Sequence, residues 1–478
     1  MSSARPSTTT RVVDDAINPR LLRRKVALEV LAGPDAGKRV EASGEEINIG
    51  TLPSNDLVLD DASVSRYHLR ITAGVRGFVI TDLDSTNGTW ISGLRVREVT
   101  AAGEVELRLG DSSLRLTPLR EEVEVPLSQG DRLGSMLGRS PQMRALFAQI
   151  GAVGGSDATV LIEGETGTGK ELLAEEIHRA SARKDKPFII VDCGALPDNL
   201  VESELFGHTR GAFTGASGER AGAFEVAHGG TLFLDEIGEM SPAAQPRLLR
   251  VLERRQVKRV GSDRYRDVNV RIVAATNRDL RLAVNEGTFR SDLFYRLSVL
   301  RLRLPPLRER PEDVELLARH FLEHFAQNLA PGRPTPPIGP ETLQRLVGYR
   351  WAGNVRELRN FMQRVALMAH GSGLAAVSQL PMEDRPAAPP TKPSAAAPPP
   401  LPLDAPLVAP TNAPATATSI ATELPYKEAK ARWIDEFETT YVRTLLERCD
   451  QNVAAAAREA GVDRTYLFRL IRKYNLRD

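Results

Sequence analysis

The sequence predicts a multidomain protein: an all-β sandwich, then an α/β domain with a helical lid, then an all-α C-terminal domain. Residues 25–119 contain short runs of β-forming residues separated by Gly, Asn and Asp, a pattern typical of an antiparallel sandwich. Residues 137–370 alternate apolar runs with helical periodicity, which favours a parallel sheet with helices around it. Residues 425–478 show helical periodicity throughout.

The segments between these domains are polar or of biased composition. Residues 1–24 are polar with little periodicity, and we expect a disordered leader there. Residues 120–136 carry an acidic patch and read as a connector. Residues 371–424 are rich in Pro and Ala, cannot bury a core, and predict an extended linker that leaves the last domain free to move.

The overall composition excludes several classes of protein. The 478 residues include 63 Lys and Arg against 62 Asp and Glu, so any basic patch must be local. Cys193 and Cys449 lack the spacing of a metal site, which fits a reduced compartment. No apolar run approaches the roughly 20 residues of a membrane span, and the polar start does not resemble a signal peptide. We therefore expect a soluble, cytoplasmic protein.

A glycine-rich stretch provides the strongest single signal for function. It lies between a predicted strand, Ala158–Ile162, and a predicted helix, Lys170–Ala182. Backbone N–H groups in such a turn, with the helix N-terminus, can bind a polyphosphate, and Lys170 can reach its β- and γ-phosphates. The alternative is a flexible turn without a ligand. The candidate nucleotide-binding residues here are Gly164, Glu165, Thr166, Gly167, Thr168, Gly169, Lys170 and Glu171.

Two further strand ends carry side chains suited to nucleotide chemistry. The run Leu232–Leu234 is followed by Asp235, which could hold Mg²⁺, and by Glu236, which could polarise an attacking water. Two solvated carboxylates are the alternative. Asn277 follows the strand Arg271–Ala275 and could sense the γ-phosphate of ATP.

Three arginines are candidates for contacts with the phosphates. Arg290 and Arg296 are six positions apart, and on a helix they would ordinarily be solvated or in salt bridges. In a ring of subunits they could instead reach a neighbour's nucleotide. Arg356 lies in the predicted lid and could reach back to the phosphates of its own subunit.

The β-rich segment resembles the forkhead-associated (FHA) domain over essentially its whole length. The resemblance lies in Ile49-Gly50, Asn55-Asp56, the run from Ser65 to His68, and the run from Asp84 to Thr89. It implies that Ser65, Arg66 and Asn87 hold a phosphothreonine peptide, from a partner protein or kinase. The family usually has arginine where this chain has Thr51, so a sandwich that binds unphosphorylated protein, or simply packs, is the alternative.

The central segment resembles the AAA+ ATPases, and one loop narrows the family. Gly211, Ala212, Phe213, Thr214, Gly215 and Ala216 match the signature loop of bacterial activators of sigma-54 RNA polymerase. The resemblance implies that this loop contacts sigma-54 in an ATP-driven cycle with Mg²⁺, within a homo-oligomeric ring expected to be hexameric. It also implies the nucleotide roles of Asn277, Arg290, Arg296 and Arg356. Asp192 stands where the family often has an asparagine that pairs with the glutamate at the position of Glu236, so it could repel Glu236 or accept a proton.

The C-terminal segment resembles the Fis type of helix-turn-helix. Two short helical patterns flank Gly461-Val462, after a longer predicted helix that could supply a dimer interface. A generic helical hairpin is the alternative. Outward-facing residues suited to phosphate and base contacts with upstream promoter DNA are Arg464, Thr465, Tyr466, Arg469, Arg472 and Lys473.

Together these patterns predict an ATP-dependent transcription activator of sigma-54 polymerase that senses a phosphopeptide. A chaperone-like AAA+ ATPase whose tail only docks is the second hypothesis. A non-catalytic phosphopeptide scaffold is the third. The loop at Gly211–Ala216 argues against the second, and the set of Lys170, Asp235 and Glu236 argues against the third.

Overall fold

The computed structural model describes residues 10–13, 19–74, 77–195, 197–212, 218–332, 335–372, 439–449, 452–453, 456, 471 and 473–474. The chain divides into two compact units, Met1–Ala388 and Pro389–Asp478. Within the described residues, no helix combines the length and apolar character needed to cross a bilayer.

The N-terminal domain is a β-sandwich, as its alternating β-runs predict. Its strands are β1 (Thr10–Val13), β2 (Arg20–Ala32), β3 (Arg39–Ala42), β4 (Glu46–Gly50), β5 (Leu57–Val58), β6 (Leu69–Gly74), β7 (Gly77–Asp82), β8 (Thr89–Ile91), β9 (Leu94–Val96), β10 (Glu98–Ala101), β11 (Val105–Leu109) and β12 (Ser112–Pro126). In the described part of the chain they form a seven-stranded sheet, ordered β1-β2-β12-β11-β8-β9 with β3 on β2, and a five-stranded sheet, ordered β10-β7-β6-β4-β5. Apolar side chains from both sheets, such as Leu28, Ile49, Ile80 and Leu114, form one buried core.

The structure corrects the boundaries of this domain. The predicted disordered leader at 1–24 is wrong for residues 10–13 and 20–24, because both segments lie in strands β1 and β2. The predicted connector at 120–136 is wrong for residues 120–126, because β12 continues there and pairs with β2. The cause is cross-strand charge pairing, which local periodicity cannot show. The acidic patch faces basic residues of β2 in the pairs Lys25–Glu121 at 2.8 Å and Arg20–Glu124 at 2.6 Å.

The central domain is an α/β sandwich with a parallel sheet. After the hairpin of β13 (Arg132–Leu133) and β14 (Met136–Leu137), its elements are α1 (Pro141–Gly154), β15 (Val160–Glu163), α2 (Lys170–Arg179), β16 (Phe188–Asp192), α3 (Asp198–Phe206), β17 (Gly207–His208), β18 (Arg220–Ala221), α4 (Ala223–Val226), β19 (Thr231–Asp235), α5 (Gln245–Arg254), β20 (Gln256–Lys258), β21 (Tyr265–Asp267), β22 (Arg271–Thr276), α6 (Leu280–Asn285), α7 (Ser291–Leu297) and β23 (Leu300–Arg303). Among described residues the main sheet has the order β16-β19-β22-β15-β23, and every pair is parallel.

The continuous apolar runs of the sequence occupy the middle of this sheet. The residues of β22 are all buried, as are the first four of β19, because helices cover both faces. The carboxyl ends of β15, β19 and β22 therefore meet at one edge, where ligands bind in open parallel sheets.

Three helices form the lid: α8 (Pro311–Leu329), α9 (Pro340–Gly348) and α10 (Asn354–Ser372). They pack around Trp351, which is 2% exposed and donates from its indole N–H to the Leu346 carbonyl at 2.8 Å. In the C-terminal unit, residues 439–448 are helical, and Val442, Leu445 and Leu446 share a buried cluster with Val453, Ala456 and Ile471. Most of the predicted helix-turn-helix lies outside the described residues.

Candidate functional site

The glycine-rich loop joins β15 to α2 in a conformation that presents backbone N–H groups. Gly167 and Gly169 have φ values of +80° and +108°, which glycine adopts without strain. Gly169 is the N-cap of α2 and makes no side-chain capping bond, so the first N–H groups of the helix point outward for an anion. Thr168 closes the turn by donating from its hydroxyl to the Glu165 carbonyl at 2.7 Å. Glu171 lies exposed in the first turn of α2, where a negative charge favours the helix dipole.

Candidate residues from three separate parts of the sequence meet beside this loop. The Lys170 side chain is 6% exposed, and its Nζ lies 3.2 Å from Oε1 of Glu236. The second oxygen of Glu236 accepts from the backbone N–H of Asn277 at 3.1 Å, and the Asn277 side-chain amide donates to Thr166 Oγ1 at 3.0 Å. Glu236 has a φ of +48°, a strained value for a residue with a Cβ, and such strain is typical of functional sites.

Asp235 precedes this cluster at the end of β19. Its burial raises its pKa, and the neighbouring charge of Glu236 raises it further. Asp192 lies opposite Asp235 in the register of β16 and β19. One oxygen of Asp192 accepts the backbone N–H groups of Gly194 at 2.8 Å and Ala195 at 3.1 Å. These bonds fix that oxygen of Asp192 within its own turn.

Three residues of this site were missed by the sequence analysis. Arg308 donates to both carboxylate oxygens of Glu165, at 2.7 and 2.6 Å. The Asn354 amide also donates to Glu165, at 3.1 Å, and the buried Arg310 donates to the Thr168 carbonyl at 3.2 Å. These contacts fasten the lid to the glycine loop. The available signal was the alternation of arginines after Pro305-Pro306, which the sequence analysis did not use.

The remaining arginines have different surroundings. Arg356 is exposed on α10, and its backbone N–H donates to the Gly167 carbonyl at 3.2 Å. Arg290 and Arg296 are exposed at α7; Arg290 pairs with Asp292, and Arg296 donates to the Leu252 carbonyl. The contacts of these two arginines are thus with residues outside the glycine loop.

The loops of the β-sandwich are joined by a buried histidine. The Ser65 N–H donates to His68 Nδ1 at 3.1 Å, and His68 Nε2 lies 3.3 Å from the Gly88 carbonyl. This pattern fits a neutral ring with its proton on Nε2. Burial lowers the pKa of His68, although Asp82 partly opposes the shift. His68 thus fixes the two loops that carry the candidate phosphopeptide residues.

Those candidate residues lie on one side of the sandwich. Ser65 Oγ accepts the Thr86 N–H at 3.1 Å, and the exposed Asn87 donates to the Ser63 carbonyl at 2.7 Å. Arg66 donates from its guanidinium to the carbonyl of Val284, a residue of α6 in the central domain, at 3.3 Å.

Several predicted contact residues lie outside the described residues. In the sigma-54 loop, Gly211 and Ala212 are described and follow β17, whereas Phe213, Thr214, Gly215 and Ala216 are not. Of the predicted DNA-contacting residues, Lys473 is described and is exposed in a helical segment. Arg464, Thr465, Tyr466, Arg469 and Arg472 are not described.

Comparison with known families agrees with this architecture. Residues 136–303 match the Sigma-54 interaction domain, and residues 308–397 match the AAA+ ATPase lid domain. Residues 29–119 match a family described as the cytoplasmic domain of an inner membrane component of T3SS.

Individual relatives extend the comparison. The transcriptional regulatory protein GlrR of Escherichia coli (strain K12) is 42% identical over 339 residues, which cover 71% of this chain and 67% of GlrR. The DNA-binding transcriptional activator HyfR of the same strain is 52% identical over 242 residues, 51% of this chain and 36% of HyfR. A crystal structure of NtrX from Brucella abortus with ADP shares 31% identity over 71% of this chain and 70% of that chain, with a TM-score of 0.49. With HyfR and two other relatives, the chain spans between 36% and 56% of their length.

A glycine loop at the carboxyl edge of a parallel sheet, clamped by a helical lid, places the central domain among the AAA+ P-loop domains. Because the identity with GlrR extends over two thirds of that protein, the family can also be assigned. The chain belongs to the sigma-54-dependent transcriptional activators. This confirms the family and the α/β domain with its lid, whereas the helix-turn-helix stays a prediction.

Proposed function

We propose that the protein hydrolyses ATP to remodel sigma-54 RNA polymerase, with its C-terminal domain on upstream promoter DNA and its β-sandwich as a phosphothreonine sensor. The observation that carries the proposal is the meeting of Lys170, Glu236 and Asn277 at the carboxyl edge of the parallel sheet. This cluster lies within the segment that matches the Sigma-54 interaction domain.

The residues of the cluster have complementary chemistry. Backbone N–H groups of the glycine loop and the ammonium of Lys170 would hold the phosphates of ATP. Glu236 has a carboxylate fixed by the Asn277 N–H, and it would orient the attacking water and take its proton. Asn277 would exchange its bond with Thr166 for one with the γ-phosphate.

Asp235 is suited to hold Mg²⁺. Burial and the nearby Glu236 charge raise its pKa, and a divalent cation would relieve both effects. Among the described residues, no group of three or more His, Cys, Asp or Glu is placed to hold a metal. Protein sites for Mg²⁺ commonly supply one or two carboxylates and leave the other positions to phosphates and water. The ion would neutralise charge on the phosphate oxygens.

Arg290 and Arg296 would act on the nucleotide of a neighbouring subunit. Both are exposed, and neither is bonded to the glycine loop. Arginines supplied in trans stabilise the charge of phosphoryl-transfer transition states. Arg356 would contact phosphates of its own subunit from α10. These roles require a homo-oligomeric ring, for which a hexamer is our expectation.

Replacing Glu236 tests the catalytic assignment. We expect Glu236→Gln to lower the rate of ATP hydrolysis by about 10²–10⁴-fold, the range for a general base, and to spare ATP binding. Glu239→Gln is the matched control, since Glu239 lies three residues away and pairs with Arg278. Turnover and equilibrium binding of labelled ATP should be measured together. Wild-type turnover in Glu236→Gln would remove this residue from catalysis.

The loop at Gly211–Ala216 would deliver the energy of hydrolysis to sigma-54 through Phe213 and Thr214. We expect Thr214→Ala to keep substantial ATPase activity and to abolish open-complex formation by sigma-54 polymerase in vitro. Normal promoter opening by this variant would show that the loop assignment is wrong.

The C-terminal domain would bind DNA through Arg464, Thr465, Tyr466, Arg469, Arg472 and Lys473. We expect Arg469→Ala to weaken binding to the cognate upstream site, measured by footprinting on target promoters with sigma-54 elements. An unchanged footprint would contradict DNA contact through Arg469 and would favour the alternative that the C-terminal domain only docks on another protein.

The sandwich would bind phosphothreonine through Ser65, Arg66 and Asn87. Hydroxyl, amide and guanidinium donors on loops fixed by His68 suit a dianionic phosphate. Calorimetry should compare degenerate phosphothreonine and threonine peptide mixtures. Equal affinity for both mixtures would exclude phosphate recognition.

A further inference from the structure

The loop of the sandwich that carries Ser65 and Arg66 is in direct contact with helix α6 of the ATPase domain. Asn285, the last residue of α6, clamps this loop by its backbone. Its side-chain oxygen accepts the Tyr67 N–H at 3.1 Å, and its amide donates to the carbonyls of Tyr67 at 2.6 Å and Leu83 at 3.1 Å. All three of these hydrogen bonds of the Asn285 side chain are made to the neighbouring domain, so the contact is specific.

Apolar packing supports the clamp. Tyr67 is 1% exposed, and with Leu83 it belongs to the buried core of the ATPase domain. The Tyr67 ring meets the Phe294 ring of α7 edge-on, with centroids 5.6 Å apart and planes at 88°. Such edge-on aromatic pairs add stabilisation beyond that of their buried area. The sandwich is therefore anchored to α7 as well as to α6.

Charged residues close the contact on one side. Arg70 of the sandwich pairs with Asp279 at 2.6 Å, and Glu46 pairs with Arg281 at 3.2 Å. Arg281 also reaches Glu163, at the end of the strand that precedes the glycine loop, at 3.2 Å. The opposite signs on the two domains make the contact complementary and connect it to the nucleotide site.

We infer that α6 and a phosphothreonine peptide are alternative ligands of the Ser65–Tyr67 loop, so that phosphopeptide binding releases the sandwich from the ATPase domain. The inference rests on the proposed phosphopeptide site. Its basis is the Arg66 guanidinium, which donates to the Val284 carbonyl in α6 and is also the group that would bind the peptide phosphate. That bond uses one of the five N–H donors of an exposed guanidinium, so the competition acts through the shape of the loop. Drawing Arg66 towards a phosphate would break its bond with Val284 and disturb the Asn285 clamp on the adjacent Tyr67.

The docked sandwich holds the helix that carries the arginines proposed to act in trans. Phe294, which meets Tyr67, lies in α7 between Arg290 and Arg296. A neighbouring subunit must approach this surface for either arginine to reach its nucleotide. Arg290 and Arg296 stay exposed beside the docked sandwich, so docking does not cover them. Docking instead fixes α6 and α7 in one orientation. On this proposal the sandwich is a negative regulator, and its release by a phosphothreonine protein frees α7 to meet a neighbouring subunit and activates the ATPase.

Two substitutions on opposite sides of the contact test this in the full-length chain. Asn285→Ala removes the clamp, and Arg70→Ala removes the ion pair from the sandwich side. Their matched controls are Asn328→Ala on α8 and Arg115→Ala, whose partners Glu104 and Glu106 lie in the sandwich. For each protein we would measure affinity for a degenerate phosphothreonine peptide mixture, ATPase activity against protein concentration, and amide exchange of residues 279–297.

We expect both contact variants to bind the phosphothreonine mixture about tenfold more tightly, if the docked state is populated at about 90%. They should also reach half-maximal ATPase activity at a lower protein concentration, and the controls should match the wild type. In the wild type, the phosphothreonine mixture should raise amide exchange in residues 279–297, and the threonine mixture should not.

The outcomes separate the two proposals. If the phosphothreonine mixture binds the wild type and both contact variants equally, without changing exchange at 279–297, the competition is refuted and the phosphopeptide site stands. If no protein binds the phosphothreonine mixture, the phosphopeptide site and the competition both fail. Unchanged ATPase activity in both contact variants would refute the negative regulation.

Discussion

The nucleotide site and the docking contact hold a buried cation in different ways. Lys170 has one carboxylate partner, Glu236. When a ligand binds, each of the two groups can leave the other and contact the ligand instead. Arg281 is 2% exposed and has three carboxylates around it: Glu46 and Glu163 at 3.2 Å, and Asp279 at 3.4 Å. A cation with one exchangeable partner suits binding and turnover, whereas a cation with three partners suits a fixed joint.

The largest effects are expected when either cation is removed, because Arg281 should matter for stability and Lys170 for ATP binding. We expect Arg281→Ala to lower the free energy of unfolding by about 3–5 kcal/mol, because it leaves buried carboxylates without a counter-charge. Lys170→Met should cost far less stability and should abolish ATP binding. Native-state amide exchange in β15 reports the first effect, and binding of labelled ATP reports the second.

The loss in Arg281→Ala should depend on pH in a defined direction. Burial already raises the pKa of Glu163, and Arg281 opposes that shift. Without Arg281 the pKa rises further, so the charged acid destabilises the folded state above the ordinary pKa and protonation relieves it. The destabilisation should therefore be smaller at pH 5 than at pH 8. An equal loss at both pH values would show that Glu163 does not carry the penalty.

Mild acid should loosen the sandwich loops and leave the docking ion pair intact. Burial lowers the pKa of His68, so the folded loops resist a proton that the unfolded chain binds below about pH 6.5. Stability is then full above that pH and falls as the pH drops, by at most about 1.4 kcal/mol per pH unit. The exchange of the Ser65 amide, relative to an unstructured peptide, should rise between pH 7 and pH 5.

Asp279 provides the comparison for the same experiment. Burial alone would favour its neutral form, but Arg281 and Arg70 lower its pKa below the ordinary value. Its contribution is therefore lost only below the ordinary carboxylate range, and the amides of α6 should keep their protection at pH 5. Loss of protection in α6 over this range would show that the docking contact responds to a group other than Asp279.

The smallest effect is expected at the lid clamp. Arg308 and Glu165 are 36% and 42% exposed, and pairs of this kind contribute about 0–1 kcal/mol. Arg308→Ala should therefore leave the unfolding midpoint nearly unchanged and should raise the KM for ATP more than it lowers kcat. Arg319→Ala removes a comparable exposed pair with Glu315 and is the control. A large fall in kcat with unchanged KM would place Arg308 in the chemistry of the reaction.

The α/β domain and its nucleotide loop were predictable from the amino-acid sequence alone. A nucleotide loop needs glycines with positive φ, a lysine at the start of a helix and carboxylates at a strand end. Because these residues stand at fixed spacings, the pattern can be recognised in the sequence. Even there, Arg308, Arg310 and Asn354 escaped prediction, because arginine and asparagine beside a turn have many ordinary uses. The leader was misread because the pairing of β2 with the acidic end of β12 joins segments about a hundred residues apart.

The docking of the sandwich on the ATPase domain could be recognised only from the folded molecule. Arg66 meets Val284 across 218 positions, and Arg281 meets Glu46 across 235. Tyr67, Asn285 and Arg281 belong to residue types found on any surface, and no local periodicity marks them as partners. These residues become partners through the complementary shape and charge of the two domain surfaces, which exist only after both domains have folded.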